Sequence, residues 1–107
     1  MSGIQTFKYK RRKMTVIFWN CSVWFKGKEI YEILGYKGGM TRFMTLLLDD
    51  NMTYSKSNVN LISELGLSTF TYHKGLKPKM RERANELYEW VQKEVMPVFD
   101  EYIRSWL

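Results

Sequence analysis

Pro78 opens a run in which Met80, Ala84, Leu87, Tyr88, Val91 and Val95 fall on one face of an α-helix. Proline suits the first helical turn, because its φ is preset and its missing N–H has no intrahelical partner to lose there. This is the strongest single helix the sequence predicts. Pro97 cannot donate a backbone hydrogen bond and is expected to kink or restart that helix. Beyond it Val98, Phe99, Tyr102, Ile103, Trp106 and Leu107 recur at helical spacing, which predicts an apolar terminal helix over 97–107.

The first part of the chain has a different period. Thr15-Val16-Ile17-Phe18-Trp19 is rich in β-branched and aromatic residues, Asn20-Cys21-Ser22 has turn chemistry, and Val23-Trp24-Phe25 follows, a pattern that predicts a β-hairpin. From Lys28 the spacing turns helical through Ile30, Ile33 and Leu34, with Gly35 placed to end the helix in a left-handed conformation. Met40, Phe43, Met44 and Leu47 predict a second short helix, stopped at Asp49-Asp50-Asn51. Met52–Ser55 and Val59–Ile62 read as a second small hairpin around Lys56-Ser57-Asn58. Ser63 is a candidate N-cap for a helix over roughly 64–73, with Gly75 at its far end. The expectation is an α+β fold: small β-hairpins packed on short helices with a longer C-terminal helix, in one domain over 1–107 without a linker, repeat or low-complexity tract.

Composition narrows the class. Of 107 residues, 45% are hydrophobic and 16% aromatic, enough to fill a core and to exclude disorder as the main description. No apolar run approaches the roughly 18–20 residues that cross a bilayer, and no apolar stretch follows the N-terminal charge, so neither a membrane span nor a secretory signal is expected. Cys21 is the only cysteine, which excludes an internal disulfide and a multi-thiolate metal site and favours a reducing, intracellular compartment.

Charge is unevenly placed. The net charge is +6, yet residues 1–83 hold 15 basic and 6 acidic groups, whereas 84–107 hold 2 basic and 5 acidic. A basic working surface of this kind suits an anionic partner such as nucleic acid. The densest cluster is Lys8, Lys10, Arg11, Arg12 and Lys13, in a basic segment over 1–13 that serves either as a solvated turn or tail or as a phosphate contact. A second cluster, Lys74, Lys77, Lys79, Arg81 and Arg83, spans the turn into the long helix. Cations at a helix start oppose the dipole, so their accumulation there points to an external anion. Lys37 beside Gly38-Gly39 and Arg42 are further candidates for nucleic-acid contact. The segment Glu29–Leu48 has a helix-turn-helix outline, but Arg42 is the only cation on Met40–Leu48 and Met44, Leu46, Leu47 and Leu48 suit a core better than a DNA groove. Trp19, Trp24, Phe25, Phe70 and Trp90 read as core; Tyr9 and Tyr36 are the better candidates for stacking on bases.

Three blocks carry a family resemblance: Val23-Trp24-Phe25-Lys26-Gly27-Lys28-Glu29-Ile30-Tyr31-Glu32-Ile33-Leu34-Gly35-Tyr36, Leu61-Ile62-Ser63-Glu64-Leu65-Gly66-Leu67, and Trp90-Val91-Gln92-Lys93-Glu94-Val95-Met96-Pro97. In order and approximate spacing they resemble the Bro-N domain, the N-terminal domain of baculovirus repeated open reading frame proteins and related phage antirepressors, over roughly residues 7–100. The resemblance implies a virus- or prophage-encoded DNA-binding module with an α+β fold, here without the variable C-terminal domain of longer relatives. Glu29 stands where the family usually has Asp, Ser68 where an aromatic residue often follows the Gly-Leu pair, and Asp100 where a basic residue often follows the proline. The last departure leaves phosphate contact to the basic first 83 residues.

The expected partner is therefore double-stranded DNA, and the expected place is inside an infected host cell, in the nucleus or cytoplasm for a eukaryotic virus and in the cytoplasm for a phage. The rival reading is a protein-interaction module in which Phe99, Tyr102, Ile103, Trp106 and Leu107 bury against a second copy or a host protein. No enzyme is expected: His73 and Cys21 are the sole imidazole and thiol, without a third group to orient a nucleophile, and no metal-dependent nuclease constellation or Walker-type loop occurs. No catalytic residue, metal, cofactor, membrane contact or small-molecule substrate is expected.

Overall fold

A computed structural model describes residues 3–39, 43, 53–56, 59–73 and 75–105. Its fold is α+β. Strands β1 (Gly3–Tyr9), β2 (Arg12–Trp19) and β3 (Ser22–Lys26) run antiparallel into helix α1 (Gly27–Leu34); β4 (Thr53–Lys56) and β5 (Val59–Ser63) follow, then α2 (Glu64–Thr71), α3 (Pro78–Trp90), a π-helical turn (Val91–Val95) and α4 (Met96–Arg104). The sheet order is β1-β2-β3-β5-β4, with every neighbouring pair antiparallel.

The register explains the core. Phe7 and Tyr9 lie opposite Met14 and Arg12, Val16 opposite Phe25, and Phe25 opposite Ile62. Alternate residues point the same way, so Tyr9, Met14, Val16, Phe18, Val23, Phe25 and Ile62 form one buried face. Against it pack Ile30 and Leu34 of α1, Leu67 and Phe70 of α2, and Ala84, Leu87, Val91 and Val95 of the long C-terminal helix. Trp90 meets Phe7 and Tyr9 edge-on, at centroid distances of 6.1 and 5.1 Å.

The expected hairpin over 15–25 is present, with a tighter turn than Asn20-Cys21-Ser22 implied: Ser22 pairs with Trp19, leaving Asn20 and Cys21 as a two-residue turn, both at positive φ. Gly35 ends α1 at φ +67°, as its position predicted. Ser63 caps α2, its hydroxyl accepting from the Gly66 N–H at 2.9 Å. That helix stops at Thr71, short of Gly75. The helix expected over Met40–Leu48 lies outside the described residues except for Phe43, which is fully buried and donates its N–H to the Gly39 carbonyl.

The basic segment over 1–13, expected as a turn or a tail, is the turn: it contains β1, the Lys10-Arg11 turn and the start of β2. Pro97 lies in the first turn of α4, which restarts at Met96 as expected; the turn before it is widened, the Met96 N–H reaching the Val91 carbonyl. A π-turn placed just before the proline relieves the clash its ring makes with the preceding turn and removes the need for its missing donor. Phe99 and Tyr102 then reach Phe18 at centroid distances of 5.3 and 4.9 Å, inside the chain's own fold.

Candidate nucleic-acid interface

Chain turns at the end of α1 and before α3 bring distant cations together. Gly35, Tyr36, Lys37 and Gly38 form one wall of a cleft of about 680 Å³. The facing wall comes from the loop and first turns of α3, with His73, Leu76, Lys77, Lys79, Met80 and Arg83. Lys37, Lys77, Lys79 and Arg83 thus meet in space although 46 positions separate Lys37 from Arg83. Among the described residues no carboxylate lines this cleft, and the one ion pair lies elsewhere. Lys77, the N-cap of α3, makes no side-chain capping bond, and Pro78 occupies the first turn. The adjoining N–H groups of Lys79 and Met80 therefore remain as donors at the positive end of a 13-residue helix.

The cleft is held by specific contacts. Tyr36 packs against Tyr31 and Phe43, at 6.0 and 5.4 Å between centroids, and Phe43 in turn meets Phe70 at 5.3 Å. Gly38 lies so close to the Tyr36 ring that a Cβ there would stand 2.6 Å from it. The Gly75 N–H donates to His73 Nδ1 at 3.1 Å, which leaves the proton of the neutral ring on Nε2. Arg83 Nη1 donates to the Leu34 carbonyl at 3.2 Å, tying α3 to the end of α1.

Arg81 does not join the other cations. Its Nη2 donates to the His73 carbonyl at 2.8 Å, and its side chain lines a separate groove along α3 with Glu82, Glu86 and Glu89. An arginine in an acidic groove, engaged by a carbonyl, is a loop tie. Lys74 and Arg42 lie outside the described residues.

The second cluster sits at the tip of the β1–β2 hairpin. Lys10 and Arg11 form its two-residue turn at φ 48° and 70°, a left-handed conformation that asparagine and glycine adopt at least cost. Lys8 and Lys13 are directly opposite each other, so two like charges share one cross-strand site. The tip is docked on α3 by Lys10 Nζ at 2.5 Å from Glu86 Oε1. That carboxylate holds the Lys10 ammonium above its ordinary value, and burial followed by the same carboxylate pushes the Tyr9 phenol up. Tyr9 is buried, at 7% exposure, and Tyr36 is half-buried against Phe43, so the expectation of Tyr9 as an exposed stacking ring is corrected.

Seven residues separate Lys79 from Glu86, roughly 10 Å along the helix axis at 1.5 Å per residue. The cleft and the hairpin tip are therefore neighbours along α3. Glu64 accepts from Tyr88 Oη at 2.9 Å and from Gln92 Nε2 at 2.5 Å, joining α2 to α3 and the π-helical turn. Of the terminal-helix residues, Phe99 and Tyr102 pack against the core, Ile103 is half-buried, and Trp106 and Leu107 lie outside the described residues.

The chain matches no protein-family model, and neither a curated protein nor a solved structure is significantly similar to it. Among the described residues no helix is long and apolar enough to cross a membrane, and no three His, Cys, Asp or Glu residues are grouped to hold a metal ion.

Sequence reasoning found the cations of the cleft and, as a candidate stacking ring, Tyr36, and missed the rest of its floor. Leu76 and Met80 carry no signal that separates a cleft residue from a core one. His73 stood in the sequence only as the sole imidazole, because its neighbours across the cleft, Tyr36 and Lys37, belong to a distant segment.

Proposed function

We propose that this chain is a DNA-binding regulatory protein of viral or phage origin, gripping phosphates with the cleft between α1 and α3 and with the β1–β2 hairpin tip. The observation that carries the reading is the convergence of Lys37, Lys77, Lys79 and Arg83 on a cleft that, among the described residues, no carboxylate lines. Cations gathered at a helix N-terminus repel one another and oppose the dipole; an anion reverses both penalties. The hairpin adds support, since a Lys-Arg pair in left-handed conformation and a Lys8–Lys13 cross-strand pair are local costs that a phosphate partner offsets. Lys79 to Glu86 spans about three nucleotide rises at roughly 3.4 Å per strand, so both elements can engage one backbone. The resemblance of the three sequence blocks to the Bro-N domain agrees with this reading.

Fluorescence anisotropy on random-sequence duplex DNA across a salt series tests it. Wild type should bind with a log–log salt slope of about −0.9 per phosphate neutralised, roughly −4 if all four cleft cations engage. Lys37→Glu/Lys77→Glu/Lys79→Glu should lose that binding while keeping its fold. Absence of wild-type binding at low salt would sink the proposal.

A further inference from the structure

The cleft has two chemical natures, and a phosphate uses only one of them. Its rim is cationic through Lys37, Lys77, Lys79 and Arg83, whereas Tyr36, Leu76 and Met80 contribute apolar surface beneath. At about 680 Å³ it falls in the ~300–1,000 Å³ range of small-molecule sites and exceeds what one phosphate group fills. A duplex presents phosphates on a convex surface with its bases stacked inside, out of reach of a concave floor. A nucleotide whose base is free reaches both parts at once.

We infer that the cleft takes a single unpaired nucleotide, its phosphate on the Lys77–Lys79 rim and its base against the Tyr36, Leu76 and Met80 surface, so that single-stranded nucleic acid is the ligand of this part of the protein. The inference rests on the nucleic-acid reading above and assigns the cleft a substrate class within it. The site is preformed for such a ligand: Tyr36 is fixed by Tyr31 and Phe43, and Gly38, packed on that ring, adds no side chain to the cleft mouth. His73 Nε2–H adds a donor at the wall, since Nδ1 is occupied by the Gly75 N–H. Aromatic and apolar surface recognises any base by its face, so recognition here is tolerant of sequence.

Amide chemical-shift titration of the full chain with inorganic phosphate, adenosine and 5′-AMP tests the assignment, followed by competition of 5′-AMP against labelled oligothymidylate and a labelled hairpin duplex. The expected result is perturbation at Gly38, Gly75 and Met80 by 5′-AMP, with affinity about tenfold above inorganic phosphate from base contact. Oligothymidylate should be displaced by 5′-AMP, and exposed-site variant Lys79→Glu should lose both ligands with unchanged amide dispersion. If 5′-AMP binds no tighter than phosphate, the cleft is an anion site alone and the inference fails. If duplex binds with a steep salt slope while 5′-AMP displaces nothing, the inference fails and the DNA-binding reading stands. If no nucleic acid binds, both fall.

Discussion

The Glu29 carboxylate accepts two hydrogen bonds from Thr15, one from its backbone N–H at 2.6 Å and one from its hydroxyl at 3.0 Å. The ladder between β2 and β3 ends at Val16–Phe25, because the chain turns into α1 at Gly27. Thr15 is buried at the point where the next backbone partner would stand, and Glu29, in the first turn of α1, replaces it. A carboxylate at this position thus closes the open end of the β2–β3 ladder, which gives the acidic position of the Val23–Tyr36 block a structural role.

Glu29→Ala should therefore destabilise the protein by about 1–3 kcal/mol, the cost of leaving a buried donor unsatisfied. Glu29→Gln should cost less, since one acceptor oxygen remains. Urea denaturation of the three proteins checks the order; equal midpoints would show that water satisfies the Thr15 N–H equally well.

The Lys10-Arg11 turn should trade stability for binding. Arg11→Gly relieves a left-handed conformation worth roughly 1 kcal/mol for a residue with a Cβ. Its unfolding midpoint should rise while its affinity for duplex DNA falls and its salt slope becomes shallower by about 0.9. A stabilised variant that retains full affinity would remove the hairpin tip from the interface.

Lys79 and Arg83 should separate binding from folding. Lys79 makes no described hydrogen bond, so Lys79→Ala should stay within about 0.5 kcal/mol of wild type and lose affinity. Arg83 also holds the Leu34 carbonyl, so Arg83→Ala should lose both affinity and stability. Paired denaturation and anisotropy measurements distinguish the two.

Alkaline pH should weaken the fold. Tyr9 and Tyr88 both stand above their ordinary value of 10.0, each chiefly through burial, and Lys10 stands above 10.5 through its hydrogen bond to Glu86. A raised folded-state value means that the folded chain keeps protons the unfolded chain has released. Stability is then complete below the unfolded values and is lost as pH rises through the folded ones. Unfolding midpoints should fall from about pH 10 upward, and Tyr9→Phe/Tyr88→Phe should flatten that decline.

Phe99 should report on the monomer. Because its ring meets Phe18, Phe99→Asp should lower the unfolding midpoint at every protein concentration. Unchanged stability with altered sedimentation would instead return Phe99 to an interface between copies.

Much of the architecture was legible from local chemistry. Alternation over Thr15–Phe25, the Ile30-Ile33-Leu34 stripe ending at Gly35, the Ser63 cap and Pro78 at a helix start are short-range signals, and each stands where expected. β1 was hidden because its one aliphatic residue, Ile4, faces outward and only Phe7 and Tyr9 alternate inward. The π-turn was hidden because a proline in a helix has two remedies, a break or a widened preceding turn, and tertiary packing selects between them. Here the widened turn keeps Phe99 and Tyr102 over Phe18, an outcome that depends on a strand nearly eighty residues earlier.

The candidate site divides along the same line. Which residues carry charge, and that they exceed their acidic neighbours, is written in the chain. That Lys37 joins Lys77, Lys79 and Arg83 while Arg81 turns away follows from the close of α1 against α3 and from the helical rotation that sends Arg81 to a separate groove. Helix and hairpin formation are governed by residues a few positions apart, so the sequence by itself determined the elements and the sign of the surface. A cleft is made by side chains that only long-range packing brings together, and the tertiary structure alone decided its members, its apolar floor and its shape.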